Sequence, residues 1–377
     1  MALTSISLNK NTMRILHYYE DKDTMISQHV KLLTDNMGMD AENYIATETE
    51  QAKTLLRGGH NDILHLHGCW RNSSRGIVNM ALRQGARLVL TPHGQLEPWI
   101  REEGYWKEKL PKQLIYQRDI VQKAYAVIIQ GRMEQECLNR LKWNPRTVII
   151  RNAVVTHSIT AKDMARKTLD VYQKVLDSNP LERMSNETRQ TLLAMIIAGT
   201  TGDRRWIPED MAVSPLSGED WRLLLCYGHQ EQITDTLQRG IRILELEVPA
   251  IDVEHIDYFL PERYVETKSI QQSIGNEFPY ENDRLLATFK VIRKLEAAHE
   301  LSIKHLIELN HELREHGCEE EELAEELKER HLWKMVSRLM QVAAELTGLT
   351  EGFMPVAPTD DRLTRKMRRE IENHLKI

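Results

Sequence analysis

The amino-acid sequence predicts an α/β fold, in which a Rossmann-like N-terminal domain with a mostly parallel sheet precedes a mainly α-helical C-terminal region. Over residues 1–157, short runs of apolar and β-branched residues alternate with helical segments. This order favours a parallel sheet covered by helices on both faces. Several of the runs are too apolar for strands with one face in water. Beyond residue 157, helical periodicity replaces the alternation.

Six strands are predicted in the N-terminal domain, at residues 13–19, 43–47, 62–66, 87–91, 125–129 and 146–150. A loose tail over residues 1–12 precedes them. The first helix is predicted over 24–36, because Ile26, Val30 and Leu33 recur at helical spacing and Gly38 follows. The later strands are connected by helices predicted at residues 52–56, 76–84, 111–123 and 133–141.

Residues 158–377 are predicted to form a second, mainly helical domain whose role the sequence does not reveal. Helical periodicity predicts helices at residues 161–176, 187–198, 218–237, 283–316, 319–346 and 360–375. The segments 200–215 and 249–279 contain Pro and Asp and are predicted loops.

The charge of the chain is moderate but uneven. Residues 1–157 contain 21 Lys and Arg against 16 Asp and Glu, whereas the remainder contains 29 against 40. The asymmetry indicates two regions with different roles or with contact between them. Neither excess is large enough for a nucleic-acid-binding protein, so no nucleic-acid partner is expected.

Cysteine usage and hydropathy predict a cytoplasmic protein. The four cysteines are far apart and include no Cys-x-x-Cys pair, so neither a disulfide framework nor a zinc knuckle is expected. The N-terminus lacks the apolar core of a signal peptide, and apolar runs such as 192–198 are too short to span a bilayer. Membrane contact, if present, is expected to be peripheral, on the inner membrane face.

Two histidine-bearing loops follow predicted strands, one within residues 62–70 and one within 88–99. An open α/β sheet binds its ligand outside the carboxyl ends of the strands. His93 is the strongest candidate for a functional residue, because Pro92 fixes the exit from the strand and Gly94 lets the backbone turn or approach a ligand. Its imidazole can exchange protons near neutral pH. A purely structural turn is the alternative.

Other residues of these loops have side chains suited to a sugar. His67, beside Gly68 at the end of its strand, is expected to face the crevice. Glu97 offers a carboxylate for a hydroxyl, and Trp99 offers a flat apolar face for a sugar ring. Packing within the loop explains Glu97 and Trp99 equally well.

The histidines also allow a metal interpretation, with His65, His67 and Cys69 as ligands and His93 as a fourth. We expect no metal here, because a zinc site usually needs a second well-spaced ligand pair, and none is apparent. His65 is instead predicted to be a packed, hydrogen-bonded strand residue.

The segment from Trp99 to Arg118 interleaves aromatic and basic residues. Such a segment can lie against anionic lipid headgroups or hold a phosphorylated acceptor. An exposed amphipathic segment is the simpler interpretation. No Gly-x-Gly-x-x-Gly, P-loop or Gly-x-Ser-x-Gly motif follows a strand, so a dinucleotide oxidoreductase, a P-loop NTPase and a serine hydrolase are not supported.

Several segments of the N-terminal domain occur in the order of a known family. They are His65-Leu-His-Gly68, Leu90-Thr-Pro-His-Gly-Gln-Leu-Glu-Pro-Trp99, Lys109 in a basic loop, Ala124-Tyr-Ala-Val-Ile-Ile129 with Glu134, and Val148-Ile-Ile-Arg-Asn152. In these segments the chain resembles the N-terminal half of bacterial glycosyltransferases of the two-Rossmann-domain type, family 4.

The resemblance implies that this half faces a sugar acceptor, often a lipid-linked or surface-polysaccharide sugar, and that the donor is a nucleotide sugar. His93 would lie near the transferred sugar as the catalytic candidate. Substrate-binding roles are implied for His67, Gly68, Trp70, Gly94, Glu97, Trp99, Lys109, Glu134 and Asn152. The resemblance implies neither a metal ion nor another cofactor.

The sequence departs from the family in three places. Residues 20–23 replace a glycine-rich turn, and Asn152-Ala153 replaces Asn-Gly. The second half lacks the pattern of a second Rossmann domain, which in the family holds the nucleotide sugar. Two hypotheses follow. The chain is a glycosyltransferase with a remodelled donor domain, or one that acts with a partner transferase chain or as a homo-oligomer. Alternatively, it is a non-catalytic relative that binds a glycan or a partner.

Overall fold

The computed structural model describes residues 12–20, 24–99, 107, 109–211, 213–249, 251, 256–262, 264, 267–274, 278 and 280–377. The described residues form two compact units. The first contains the residues up to Ser178 together with 257–259, and the second contains the others. Most of the predicted tail lies outside the described residues, as do residues 21–23 of the segment that replaces the glycine-rich turn of the family.

The first unit is built on a parallel sheet, which confirms the predicted α/β fold. Its strands are β1 Met13–Tyr18, β2 Ala41–Ala46, β3 Ile63–His67, β4 Arg87–Thr91, β5 Ala126–Ile129 and β6 Thr147–Ile149. They are adjacent in the order β2-β1-β3-β4-β5-β6, and each pair is parallel. Every residue of β3, β4 and β5 is buried, as expected for central strands covered on both faces.

Helices connect these strands: α1 Met25–Asp35, α2 Thr49–Arg57, α3 Ser73–Arg83, α4 Arg118–Lys123, α5 Arg132–Leu141 and α6 Ala161–Asp177. A helical turn at Leu110–Lys112 and a π-helical turn at Gln113–Gln117 lead into α4. Three apolar residues of α1 and one histidine, His29, are buried. A polar side chain therefore lies on an otherwise apolar helix face.

Helix α6 belongs to the first unit, which extends past the predicted boundary at residue 157. Thr160 caps its N-terminus by accepting a hydrogen bond from the backbone N–H of Asp163. Near its C-terminus, the buried guanidinium of Arg87 donates to the carbonyls of Val175 and Ser178. These bonds satisfy carbonyls that the helix itself leaves without partners.

The second unit is helical, and its described residues contain no strand. Its helices are α7 Asn186–Thr201, α8 Gly218–Gln230, α9 Thr234–Ile243, α10 Ile270–Ile274, α11 Glu281–Ala298, α12 Ile303–Glu315, α13 Glu320–Glu329, α14 Trp333–Thr347 and α15 Arg362–Glu372. This confirms the predicted change to helical structure. No described helix in either unit is both long and apolar enough to cross a bilayer.

The prediction of three long helices in this unit was wrong, because each predicted range contains two helices in the structure. The predicted helices 218–237, 283–316 and 319–346 break where Gln232, His299 and His331 have left-handed φ angles of 58°, 59° and 57°. A left-handed residue ends a helix, and apolar periodicity that continues past the break conceals it. The new helix α12 begins with a capping box at Ser302 and His305.

Helices α7 and α9 pack closely through two glycines. A Cβ atom placed on Gly199 would lie 2.0 Å from the carbonyl oxygen of Thr236, and one on Gly240 would lie 2.0 Å from that of Met195. Real Cβ atoms do not approach so closely, so the packing of these helices requires glycine at both positions.

Candidate functional site

The strand order places a topological switch point between β1 and β3, because the chain proceeds to opposite sides of the sheet from there. Ligands of open α/β sheets bind at such points, outside the carboxyl ends of the strands. A cavity of about 550 Å³ lies there. Its lining comes from the end of β1, the loop after β3 and the helical turns before α4, namely Glu20, Trp70, Arg71, Asn72, Ser73, Lys112, Ile115 and Tyr116.

Trp70 is fixed in this cavity by three hydrogen bonds. Its backbone N–H donates to Oε1 of Gln117 at 2.7 Å, and its indole N–H donates to the carbonyl of Gln95 at 3.0 Å. Its own carbonyl accepts from the hydroxyl of Tyr116 at 2.7 Å. These bonds hold a backbone φ of 67°, which is unusual for a bulky residue.

The loop after β4 is tied to the loop after β3. Oε1 of Gln95 accepts from the backbone N–H of Cys69 at 2.6 Å, and Glu97 N–H donates to the carbonyl of Gly94 at 2.9 Å. Within this turn His93 has a left-handed φ of 55°, followed by 79° at Gly94. The two histidine-bearing loops therefore form one hydrogen-bonded structure.

A chain of hydrogen bonds joins three imidazoles of the site. Gln130 Nε2 lies 2.9 Å from Nδ1 of His93, and His93 Nε2 lies 3.1 Å from Nδ1 of His67. His67 Nε2 lies 3.0 Å from Nδ1 of His17, whose Nε2 lies 3.1 Å from Oδ1 of Asn43. Because the asparagine oxygen can only accept, all three rings fit one tautomer, with the proton on Nε2.

Burial keeps these imidazoles neutral at pH 7. It lowers the pKa of His17 to about 4 and lowers the pKa values of His67 and His93 well below 6.5. Mutual repulsion between the histidines lowers the values further. Neutral rings can each donate and accept one hydrogen bond, which the chain of bonds requires.

His65 is a packed strand residue, as predicted. Its side chain is fully buried, its Nδ1 lies 2.5 Å from the hydroxyl oxygen of Tyr172, and its Nε2 lies 2.7 Å from Oγ1 of Thr91. Both ring nitrogens are therefore satisfied within the core.

Glu134 supports the loop after β4 from the interior. It is 1% exposed, and its carboxylate accepts from the backbone N–H groups of Leu96 and Gln130 at 3.4 and 3.5 Å. Burial is the main reason that its pKa rises to about 7, and the charge of Glu97 adds to the effect. The position suits a residue that holds the loop.

The structure brings some of the predicted site residues together and separates others. His67, Gly68, His93 and Gly94 lie on the joined loops, and none of these four lines the cavity, whereas Trp70 does. His67 is 4% exposed and does not face the crevice as predicted, because its two ring nitrogens lie against His17 and His93. Glu97 is partly buried, and Trp99 is 52% exposed. Lys109 precedes the helical turns and is not among the lining residues, whereas Lys112 is. Asn152 is buried, with Oδ1 3.0 Å from Nδ1 of His29.

His17 and His29 were not among the residues predicted from the sequence. The parallel register pairs His17 with His65, so a sequence signal existed in the shared spacing of the two strands but required the strand order. His29 gave a second signal, since it interrupts an apolar helix face. Gln95 and Gln130 were missed because single glutamines in loops have no pattern.

Among the described residues, two groups of histidines have ring nitrogens close enough together to hold a metal ion. They are His17 with His65 and His67, and His29 with His67 and His93, and in each group the nitrogens lie within 4.8 Å of one another. Neither group includes Cys69, which is buried and whose thiol pKa burial raises well above 9. Segments 100–106 and 108 of the basic, aromatic stretch lie outside the described residues.

No protein-family model, curated protein or solved structure matches the chain.

Proposed function

We propose that the chain is a glycosyltransferase, which transfers a sugar from a nucleotide sugar to a glycan or lipid-linked acceptor in surface-polysaccharide synthesis. The observation that carries the proposal is the cavity at the β1–β3 switch point, where two aromatic side chains accompany carboxylate, amide and cationic groups. The first unit would bind the acceptor. The resemblance of its loops to family 4 glycosyltransferases is the additional support.

Each type of lining residue has a partner on a sugar. Trp70 offers aromatic surface for the apolar face of a pyranose ring, and Tyr116, which is 3% exposed, supports Trp70 through the bond to its carbonyl. Glu20 and Asn72 can bond hydroxyl groups, and an anionic substituent such as a phosphate would pair with Arg71. The cavity thus suits a sugar that carries an anionic group.

His93 is the proposed base, and because it does not line the cavity, a part of the acceptor outside the cavity would carry the reacting hydroxyl. His93 is partly exposed, whereas His67 behind it is buried. An acceptor hydroxyl that displaced the amide of Gln130 would meet the lone pair on Nδ1 of His93. The ring would take the hydroxyl proton there, and its Nε2 proton would remain bonded to His67, which fixes the orientation of the ring.

A second candidate function is a non-catalytic subunit that binds a glycan or a partner transferase. The observation that favours it is the second unit, whose described residues contain helices and no parallel sheet. The family that the chain resembles binds its nucleotide sugar on a second such sheet. Under the first candidate the donor must bind elsewhere, to the helical unit, to a partner chain or to a second copy.

The experiment is turnover and binding of a panel of nucleotide sugars by the purified full chain. We expect release of nucleoside diphosphate with an acceptor present, and a decrease of at least ~100-fold in His93→Ala, the usual size of general-base catalysis. His60→Ala is the matched control, because His60 is exposed and precedes β3 at its opposite end. Absence of donor binding, together with retained glycan binding, would favour the second candidate.

A further inference from the structure

We propose that His29, His67 and His93 form a binding site for a divalent transition-metal ion such as Zn²⁺. The three residues come from different elements: α1, the end of β3 and the loop after β4. One ring nitrogen of each lies within 4.8 Å of the other two. The inference is argued from these residues and does not depend on sugar transfer.

The hydrogen bonds decide which nitrogen of each ring would face the metal. Nδ1 of His29 lies 3.0 Å from Oδ1 of Asn152, so its Nδ1 carries the proton and its Nε2 has the lone pair. Nε2 of His67 bonds His17, which leaves Nδ1. That Nδ1 lies 3.1 Å from Nε2 of His93.

Each of the three rings is also held at its far nitrogen. Metal-binding histidines almost always donate their second ring N–H to an oriented acceptor, which fixes the ring and increases its basicity. Asn152 Oδ1 is such an acceptor for His29, and Nδ1 of His17 is one for His67. The side-chain amide of Gln130 lies 2.9 Å from Nδ1 of His93.

The protons balance when the metal binds. In the hydrogen-bonded chain, Nε2 of His93 carries the proton that points at His67. On binding, this proton moves to Nδ1 of His93, and the Gln130 amide turns its oxygen toward it. All three ligands are neutral before and after, so no proton is released. The ion replaces one hydrogen bond between two imidazoles.

The other group of histidines is a poorer site. Both nitrogens of His65 are engaged, by Tyr172 and Thr91, and both nitrogens of His17 are engaged, by His67 and Asn43. A metal there would break several buried hydrogen bonds, whose loss is costly.

The ligand set indicates which ion would bind. Imidazole ligands suit zinc, copper, nickel and iron, whereas magnesium and calcium prefer oxygen. Zinc bonds of about 2.1 Å in a tetrahedron place ligand nitrogens roughly 3.4 Å apart, so two nitrogens separated by the limiting 4.8 Å would approach each other by about 1.4 Å through ring rotation. Three protein ligands leave a fourth coordination position open for water or a substrate.

The test is metal binding by the untagged full chain after removal of metals with a chelator. Titration with Co²⁺ is expected to give the visible absorption of a tetrahedral site, saturating at one ion per chain and bleached by Zn²⁺. Calorimetry should show that His29→Ala lowers Zn²⁺ affinity by at least ~100-fold, and that Asn152→Ala lowers it by ~10–100-fold through the orientation of His29. His60→Ala should have no effect.

Two results would overturn the proposal. One is wild-type protein that gives neither the cobalt absorption nor heat with Zn²⁺, which needs no variant to fold. The other is unchanged zinc affinity in His29→Ala. Neither readout involves a sugar, so a failure here leaves the transferase proposal standing, and a protein without transferase activity can still bind the metal. A bound ion would place the proton on Nδ1 of His93, so His93 would act as a base only in the metal-free protein.

Discussion

The buried carboxyl of Glu134 makes the stability of the first unit dependent on pH, and Glu134→Gln should remove this dependence. The side chain is 1% exposed, and burial raises its pKa from 4.5 to about 7. Glutamine has nearly the same shape, and its oxygen can still accept from the backbone N–H groups of Leu96 and Gln130. The substitution therefore removes the charge and keeps the support of the loop.

The linkage between proton binding and folding gives the sign and size of the change in unfolding free energy. A carboxyl with a higher pKa in the folded state binds its proton more tightly there, so its stabilising effect is complete below pH 4.5 and is lost as the pH rises through about 7. At ~1.4 kcal/mol for each pH unit, the wild-type protein loses about 3 kcal/mol of unfolding free energy across this window. Glu134→Gln does not lose it, so the variant becomes relatively more stable as the pH rises.

The assay is urea unfolding of the full chain at several pH values between 4.5 and 8, with amide exchange of peptides from β4 and β5 reporting on the first unit. The neighbouring Glu97 and the thiol of Cys69 are present in both proteins, as are the histidines, so their titration largely cancels in the difference. Stability curves for wild type and variant that stay parallel across this range would refute the reasoning.

Other substitutions test the packing and the helix ends. Gly240→Ala forces a methyl group onto a backbone carbonyl of α7 and should cost ~3 kcal/mol or more in unfolding free energy. Gly76→Ala is the matched control, because its helix position is open, and it should stabilise the protein by less than ~1 kcal/mol. Equal effects of the two substitutions would contradict this reasoning. Arg87→Met removes the bonds to the end of α6 and should cost ~2–3 kcal/mol in urea unfolding; a neutral result would show that they contribute nothing. Ser217→Ala removes the capping box of α8 and should cost ~1 kcal/mol in unfolding free energy. Amide exchange should become faster only in the first turn of α8, and exchange rates that are unchanged in this turn would contradict the prediction.

Apolar runs were sufficient to predict the sheet. β3, β4 and β5 are buried along their whole length, so every residue had to be compatible with a core, and such runs are visible in a sequence. The pairing of α6 with the first unit was not visible. It depends on Arg87 reaching carbonyls almost ninety residues away and on Tyr172 reaching His65, and single polar contacts of that range have no periodic pattern.

The site was predicted in part for the same reason. His67 and His93 stand beside glycines at strand ends, where a sequence indicates a ligand crevice. His17 and His29 are brought to them only by the strand order and by the packing of α1. The helix breaks at Gln232, His299 and His331 likewise depend on single left-handed residues. None of these residues is glycine, so no glycine in the sequence marks the helix ends.

The backbone conformation of His93 indicates that this position requires a histidine for its imidazole ring. A left-handed φ of 55° costs a residue with a side chain about 1 kcal/mol relative to glycine, and a structural turn would be more stable with glycine or asparagine there. The bonds of the imidazole to Gln130 on one side and to His67 on the other offset this cost. Those bonds orient a ring that is partly exposed at the edge of the crevice. Proton transfer and metal binding both require such an orientation, whereas a turn alone does not.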